Sequence, residues 1–299
     1  MTKLMSKSPV RTVTDPHAPT ARRRRNFRLR PATLGRFAFL AVATILTLGP
    51  VLWTLSTSLR TPSESFNLPP HFLPLDPDFT SYQDVFRQLD IVRLVFNSAL
   101  VTGLIAVGQM ITAALAGYAF ARLSFRGKGA LFSIVLATMM VPAQVTIVPV
   151  FMLIRGMGLS DTLLALILPA IPTAFGTFLM RQYFLSLPND FAEAASIDGA
   201  SPWQVFRYIY APLATPGMAI VGILAFNFHW NEFFRPLILT ISEQNFTLPL
   251  GLVTLQGNLG TGSIAVVLAG VILSMIPALV VFIFGQRSLR EGLTAGASK

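Results

Sequence analysis

The stretch EAASIDGASPWQVFRYIYAP, Glu193–Pro212, reads as two short helices hinged at a glycine. Asn189 or Asp190 is positioned to cap the first helix. Phe191, Ala194 and Ala195 share one face by i, i+3, i+4 spacing, and Gly199 is suited to end the helix with a positive φ. Ser201-Pro202-Trp203-Gln204 opens the second helix with a serine cap, proline at the first helical position and glutamine at the third. Trp203, Phe206 and Tyr210 form an apolar stripe, and Pro212 is expected to end it. The fold follows from what flanks this polar insert.

The flanks are greasy. Of the 299 residues 53% are hydrophobic and only 12% charged, with mean hydropathy +0.62. Soluble domains carry roughly 25% charged residues. Uncharged runs cover 37–59, 94–121, 130–154, 162–180 and 263–286, each long enough for a bilayer, which needs about 20 residues per helix. A sixth run, 217–239, is apolar apart from His229, Glu232 and Arg235. Backbone groups in lipid must be satisfied within their own segment, so helices are expected, and internal prolines are tolerated where neighbours satisfy the freed carbonyls. The expectation is an all-α integral membrane protein with six transmembrane helices.

Charge sets the expected orientation. The net charge of +10 is compatible with nucleic-acid binding, but its distribution points to membrane topology instead. Ten of the 23 basic residues precede Phe37, including the run Arg22–Arg25. The 122–129 loop carries Arg122, Arg126 and Lys128 without an acid, and the tail carries Arg287, Arg290 and Lys299 against Glu291. The 60–93 loop instead sets Glu64, Asp76, Asp78, Asp84 and Asp90 against Arg60, Arg87 and Arg93. The positive-inside rule therefore predicts cytosolic N- and C-termini in the cell membrane. The first span is too long for the apolar core of a cleavable signal peptide and follows a long basic arm.

The expected organisation is a basic disordered cytosolic arm, 1–33; a first transmembrane helix, 34–59; an external loop, 60–93; a transmembrane domain, 94–286; and a cytosolic tail, 287–299. Within 94–286 the spans are 94–121, 130–154, 162–180, 217–239 and 263–286, with the long cytosolic loop at 181–216 between the fourth and fifth. A short helix is expected near Ser81–Arg87. Ala113, Gly117 and Ala121, and Gly270 with Ser274, are spaced by four, the pattern of close helix contacts.

Enzyme chemistry finds no support. There is no cysteine, the three histidines lack metal-site spacing, and neither a phosphate-binding Gly-x-x-x-x-Gly-Lys-Ser/Thr loop nor a Gly-x-Ser-x-Gly elbow occurs. No catalytic, cofactor-binding or metal residue is expected.

Glu193-Ala194-Ala195, three residues, Gly199, nine residues, Ile209 and then Pro212 resembles the EAA loop of ABC importer permeases. Ala211 stands where that family usually has leucine. "AGYAFARLSFRGKGALF" (116–132), "PAQVTIVPVF" (142–151), "WNEFFRPLILT" (230–240) and "GLTAGA" (292–297) are similar to the carbohydrate-uptake class, specifically its maltose-type MalG-like permeases, over roughly 34–299. The resemblance implies a coupling helix between spans 4 and 5 that seats in a cytosolic ATPase, with Glu193, Ala194, Ala195, Asp198, Gly199, Ile209 and Pro212 as its motif. It implies a second homologous permease subunit, two ATP-binding cassette subunits that hold ATP and magnesium, and an extracytoplasmic solute-binding protein. The cargo it implies is a sugar or sugar-like solute, such as an oligosaccharide, a polyol or a glycerol phosphate. By position, Gln244, Asn245, Phe246, Thr247, Leu248 and Pro249 resemble the loop that reaches toward the binding protein.

Inside a span, Glu232 and Arg235 read either as a gate or pathway lining, with Asn227, or as an interfacial ion pair near the outer surface with Arg235 snorkelling outward. Three other readings stay open: a permease for a non-sugar solute in the same class, an ion-coupled secondary transporter, and a membrane scaffold or enzyme subunit without transport. The ion-coupled class tends to carry repeats and discontinuous helices, neither of which the sequence displays.

Overall fold

A computed structural model describes residues 31–61, 76–257 and 262–297, and all regular structure among them is helical. The basic arm before residue 31, Pro62 to Leu75 with its prolines, and Gly260 lie outside the described residues. The chain divides into two units, 1–49 and 50–299. Helix α1, Pro31–Ser58, exposes a run of large apolar side chains from Phe37 to Leu48, the surface expected of a helix in lipid.

Three helices are each long and apolar enough to cross a bilayer: the stretch 35–58 of α1, α3 (Ile91–Arg122), and 264–285 of α14 (Ile264–Ala297). The backbone of α14 continues helically to Ala297, so the expected tail is its last turns. Three bent helix pairs are long and apolar enough only when each is taken together. Helices α4 (Lys128–Thr138) and α5 (Ala143–Gly156) meet at 100°. Helix α6 (Leu163–Ile167), extended by a 3₁₀ turn at Leu168–Ala170, meets α7 (Ala174–Ser186) at 41°. The segment 202–213 meets α11 (Thr215–Trp230) at 70°.

Proline chemistry accounts for these breaks. Pro142 has an extended ψ of 135° and no N–H, so α4 cannot run through it. Pro169 and Pro172 interrupt the ladder between α6 and α7. The freed carbonyls are satisfied from α3: Gln109 Nε2 donates to Ala170 O at 2.8 Å, and Thr112 Oγ1 donates to Ile171 O at 3.1 Å. The discontinuous helices that the sequence did not display are therefore present. Their absence cannot be used against ion-coupled transport.

Short helices complete the bundle: α2 (Thr80–Gln88), α8 (Asp190–Ile197), α9 (Pro202–Val205), α10 (Ala211–Leu213), α12 (Phe234–Leu239) and α13 (Leu248–Thr254). Helix α2 matches the helix expected near Ser81–Arg87.

Helix α3 packs closely against α7. A Cβ on Gly117 would lie 2.6 Å from Met180 Cβ and 2.8 Å from the backbone N of Arg181, so only glycine fits. A Cβ on Gly270 would meet Leu252 at 2.6 Å, and Ser274 O accepts the Trp230 indole N–H at 3.1 Å. The small-residue ladders thus pack within the subunit.

Candidate functional site

Three features are built on this frame. The first is the hairpin at 190–213. Asn189 occupies the N-cap position of α8, but its side chain makes no capping bond. Gly199 has φ +78°, the left-handed turn expected of it. Ser201 and Gln204 form a complete capping box. Pro212, expected to end the second helix, instead lies inside α10. Phe206–Tyr210 forms a π-helical turn that joins α9 to α10, and the bend falls after Leu213. A proline crowds the carbonyl four residues before it, and a widened turn relieves that crowding.

An aromatic block fastens the hairpin to the bundle. Tyr118 of α3 lies 5.0 Å from the Phe206 ring, 5.6 Å from Tyr210 and 5.7 Å from Phe184 of α7. Such pairs contribute about 0.5–1.5 kcal/mol each beyond area burial. Arg122 donates to the carbonyls of Phe184 and Leu187, and its guanidinium stands 4.8 Å over the Tyr210 ring. Ile209 packs against the same cluster. Of the apolar stripe, Phe206 and Tyr210 are buried, while Trp203 is largely exposed with its ring 5.4 Å from that of Phe206. Glu193, Ala194, Asp198, Gly199 and Pro212 are exposed, Ala195 is half-buried, and Ile197 is 87% exposed. Glu193 and Ile197 border an open groove of about 540 Å³ whose floor is Tyr118, Arg122 and Tyr210.

The second feature is a cavity of about 810 Å³ lined by Gln109, Asn227, His229, Glu232 and Arg235 among others. It brings together all three residues expected to line a pathway. Arg235 does not snorkel outward. Its Nε donates to Glu232 Oε1 at 2.8 Å, a terminal nitrogen pairs closely with Glu232 Oε2, and the other donates to Leu166 O at 3.2 Å. The pair is also tied to α3. His229 links it to Gln109, midway along the 32-residue α3. The reason is local: α11 stops at Trp230 and α12 restarts at Phe234, so the charges turn inward.

His229 joins this network through both ring nitrogens. Gln109 Nε2 donates to Ala170 O, which orients its amide, and the same nitrogen lies 3.1 Å from His229 Nε2. His229 Nδ1 lies 2.7 Å from Glu232 Oε2 and 3.1 Å from a terminal nitrogen of Arg235.

The third feature is the loop at 241–254, at the end of α3 opposite the hairpin. Asn97 Nδ2 donates to the carbonyls of Gln244 and Phe246, both at 2.9 Å, and Ser98 Oγ accepts Leu248 N–H at 2.7 Å. Asp161, at the connection between α5 and α6, accepts from Ile241 N at 2.9 Å, Ser242 N at 3.0 Å and the Ser242 hydroxyl. Asn245 Nδ2 donates to Asp161 O. These bonds hold the Asp161 carboxyl well below the usual carboxylate range. Thr247 and Leu248, expected to touch an external partner, are buried, and Asn245, Phe246 and Pro249 are half-buried. The loop's side chains turn inward because its backbone is stitched to α3. Ile241, Glu243 and Gln244 form its exposed crest.

Sequence reading did not single out Asp161, and a lone aspartate in a short connection carries no pattern. Its φ of +56° is a backbone signature visible only in the fold.

The family model for "Binding-protein-dependent transport system inner membrane component" matches residues 109–291, more than half of the chain. The chain belongs to that family. The match takes in every residue of the coupling motif and of the cavity network; the basic arm and α1 precede it. This permease is 36% identical over 277 residues to the trehalose transport system permease protein SugB of Mycobacterium tuberculosis, covering 88% of this chain and 98% of that one. It is 34% identical over 263 residues to the arabinooligosaccharides transport system permease protein AraQ of Halalkalibacterium halodurans, with 88% and 92% covered. Among solved structures, the permease resembles a chain of a bacterial ABC transporter that imports the acidic polysaccharide alginate. The TM-score is 0.76 at 26% identity, covering 87% of this chain and 96% of that one.

Proposed function

We propose that the permease forms half of the membrane pathway of an ATP-driven importer for a sugar or sugar-like solute. Each bent helix pair counts as one span, giving six spans with both termini in the cytosol. An extracytoplasmic binding protein delivers the solute to the face that carries Glu243 and Gln244. The 190–213 hairpin seats in one of two ATP-binding cassette subunits, which hold the ATP and magnesium. A second permease subunit closes the pathway, and cargo moves by alternating access. The sugar names of AraQ and SugB support the cargo class.

The observation that carries this reading is the seating of the hairpin. The aromatic block ties it to α3 and α7, while Glu193 and Ile197 remain exposed. A push on the hairpin therefore reaches the helices that line the cavity.

The test is uptake by proteoliposomes containing the permease with its partner subunits and binding protein. Labelled saccharide should accumulate only with ATP inside the ATPase-facing compartment. Accumulation driven by a proton or sodium gradient without ATP would overturn the reading and favour ion-coupled transport.

A further inference from the structure

The cavity has a charge balance that bears on what passes it. Among the residues that line it, Glu232 is the one carboxylate and Arg235 the one guanidinium, and they neutralise each other. His229 is held between Gln109 and Glu232. Arg235 spends its Nε and both terminal nitrogens on Glu232, Leu166 O and the approach to His229. The Nε edge it would offer a carboxylate or phosphate for a two-point grip is already taken by Glu232. A carboxylate, sulfonate or phosphate entering this wall would lose water without gaining a cation, which is strongly unfavourable.

What the wall does offer suits hydroxyls and C–H faces. Asn227 is exposed, with an amide that both donates and accepts. Phe228 is 65% exposed beside it, and Phe234 is 40% exposed. An aromatic face flanked by an amide is apolar on one side and hydrogen-bonding on the other, the arrangement of small-molecule sites. A sugar ring has the same two-sidedness.

Resting on the transport reading, we propose that this subunit's wall of the pathway contacts cargo directly, at Asn227 and Phe228. It passes uncharged saccharides and turns away anionic ones, with the Glu232–Arg235 pair as the specificity determinant. Glu232 cancels the guanidinium that would recruit an acidic sugar.

Saturation-transfer NMR on the assembled importer complex in nanodiscs, without binding protein, tests this. The probes are trehalose, maltotriose and arabinotriose as neutral saccharides and trigalacturonate as the anionic one. Wild-type complex should transfer saturation to at least one neutral probe and not to trigalacturonate. N227A and F228A should weaken the neutral probe's binding roughly threefold or more, as for loss of one hydrogen bond or contact. E232Q leaves Arg235 charged without its counter-charge and should bring in a trigalacturonate signal. Each variant must elute as a single assembled complex; should E232Q fail to assemble, the wild type and the other two variants decide alone. Trigalacturonate binding to the wild type as strongly as the neutral probes overturns the proposal, as does the absence of binding by every neutral probe, or unchanged neutral binding in both N227A and F228A. ATP-driven uptake of trigalacturonate would keep the transport reading and sink this inference. No ATP-driven uptake of any saccharide would sink the transport reading instead.

Discussion

Asp161 and Ser242, 81 residues apart, are joined twice: the Ser242 N–H donates to the Asp161 carboxylate at 3.0 Å, and the Ser242 hydroxyl donates to its other oxygen. This clamp holds the exposed crest at Ile241–Gln244 in one geometry. Asp161→Asn should loosen it, because an amide oxygen accepts more weakly and the amide nitrogen meets a donor. Asparagine still tolerates the positive φ, so the change reports on the carboxylate and not on strain. Binding-protein stimulation of ATP hydrolysis should fall by about fivefold, the worth of roughly 1 kcal/mol. Unchanged stimulation would remove the crest from the external contact.

The same clamp has a defined pH dependence. The Asp161 carboxyl is depressed in the folded protein. Its contribution is therefore complete above the ordinary aspartate value of about 3.9 and is lost only as pH falls through the lower folded value. Hydrogen-exchange protection of the Ile241 and Ser242 amides should be flat, after correction for intrinsic rates, from about pH 5 to pH 8. A loss of protection within that window would contradict the assignment.

At the opposite end, Gly199 has φ +78° with open space where a Cβ would point. Gly199→Val should therefore act through backbone strain alone, on the order of 1–2 kcal/mol. Glu193→Ala should cost roughly 2–5 kcal/mol of ATPase association if the carboxylate is paired across a desolvated contact. Neither residue belongs to the buried core, so membrane abundance should hold while co-purification of the ATPase and uptake fall. Normal association in both variants would return the hairpin to a surface helix resting on the membrane.

The Glu232–Arg235 pair should behave as a coupled unit in thermal unfolding of the detergent-purified complex. Arg235→Met or Glu232→Gln alone leaves a buried charge unpaired and should cost about 3–5 kcal/mol. The double variant should cost clearly less than the sum. Additivity of the two changes within about 0.5 kcal/mol would mean that the pair is not energetically joined.

Topology can be read by impermeant thiol labelling, since the chain has no native cysteine. Ser81 is fully buried and donates to Arg60 O, so Gln83, exposed on α2, is the better external position. Arg126, exposed before α4, is its cytosolic counterpart. In intact cells, after removal of any outer membrane, Gln83→Cys should label and Arg126→Cys should not. The reverse pattern would invert the orientation.

The sequence by itself determined what rests on local physics. The glycine turn at Gly199, the Ser201–Gln204 capping box and the small residues of α3 are written within a few positions of one another, and each reappeared as read. Local reading failed where a proline had two outcomes: Pro212 was accommodated by a π turn, and Pro142 broke a helix that hydropathy ran straight through. The tertiary structure alone decided the polar connections. Gln109 meets His229 across 120 residues and Asn97 meets Phe246 across 149. A polar side chain in an apolar helix has no periodicity to announce its partner. It is the low dielectric of the assembled bundle, where an unsatisfied group is costly, that makes Arg235 turn inward to Glu232 and Leu166.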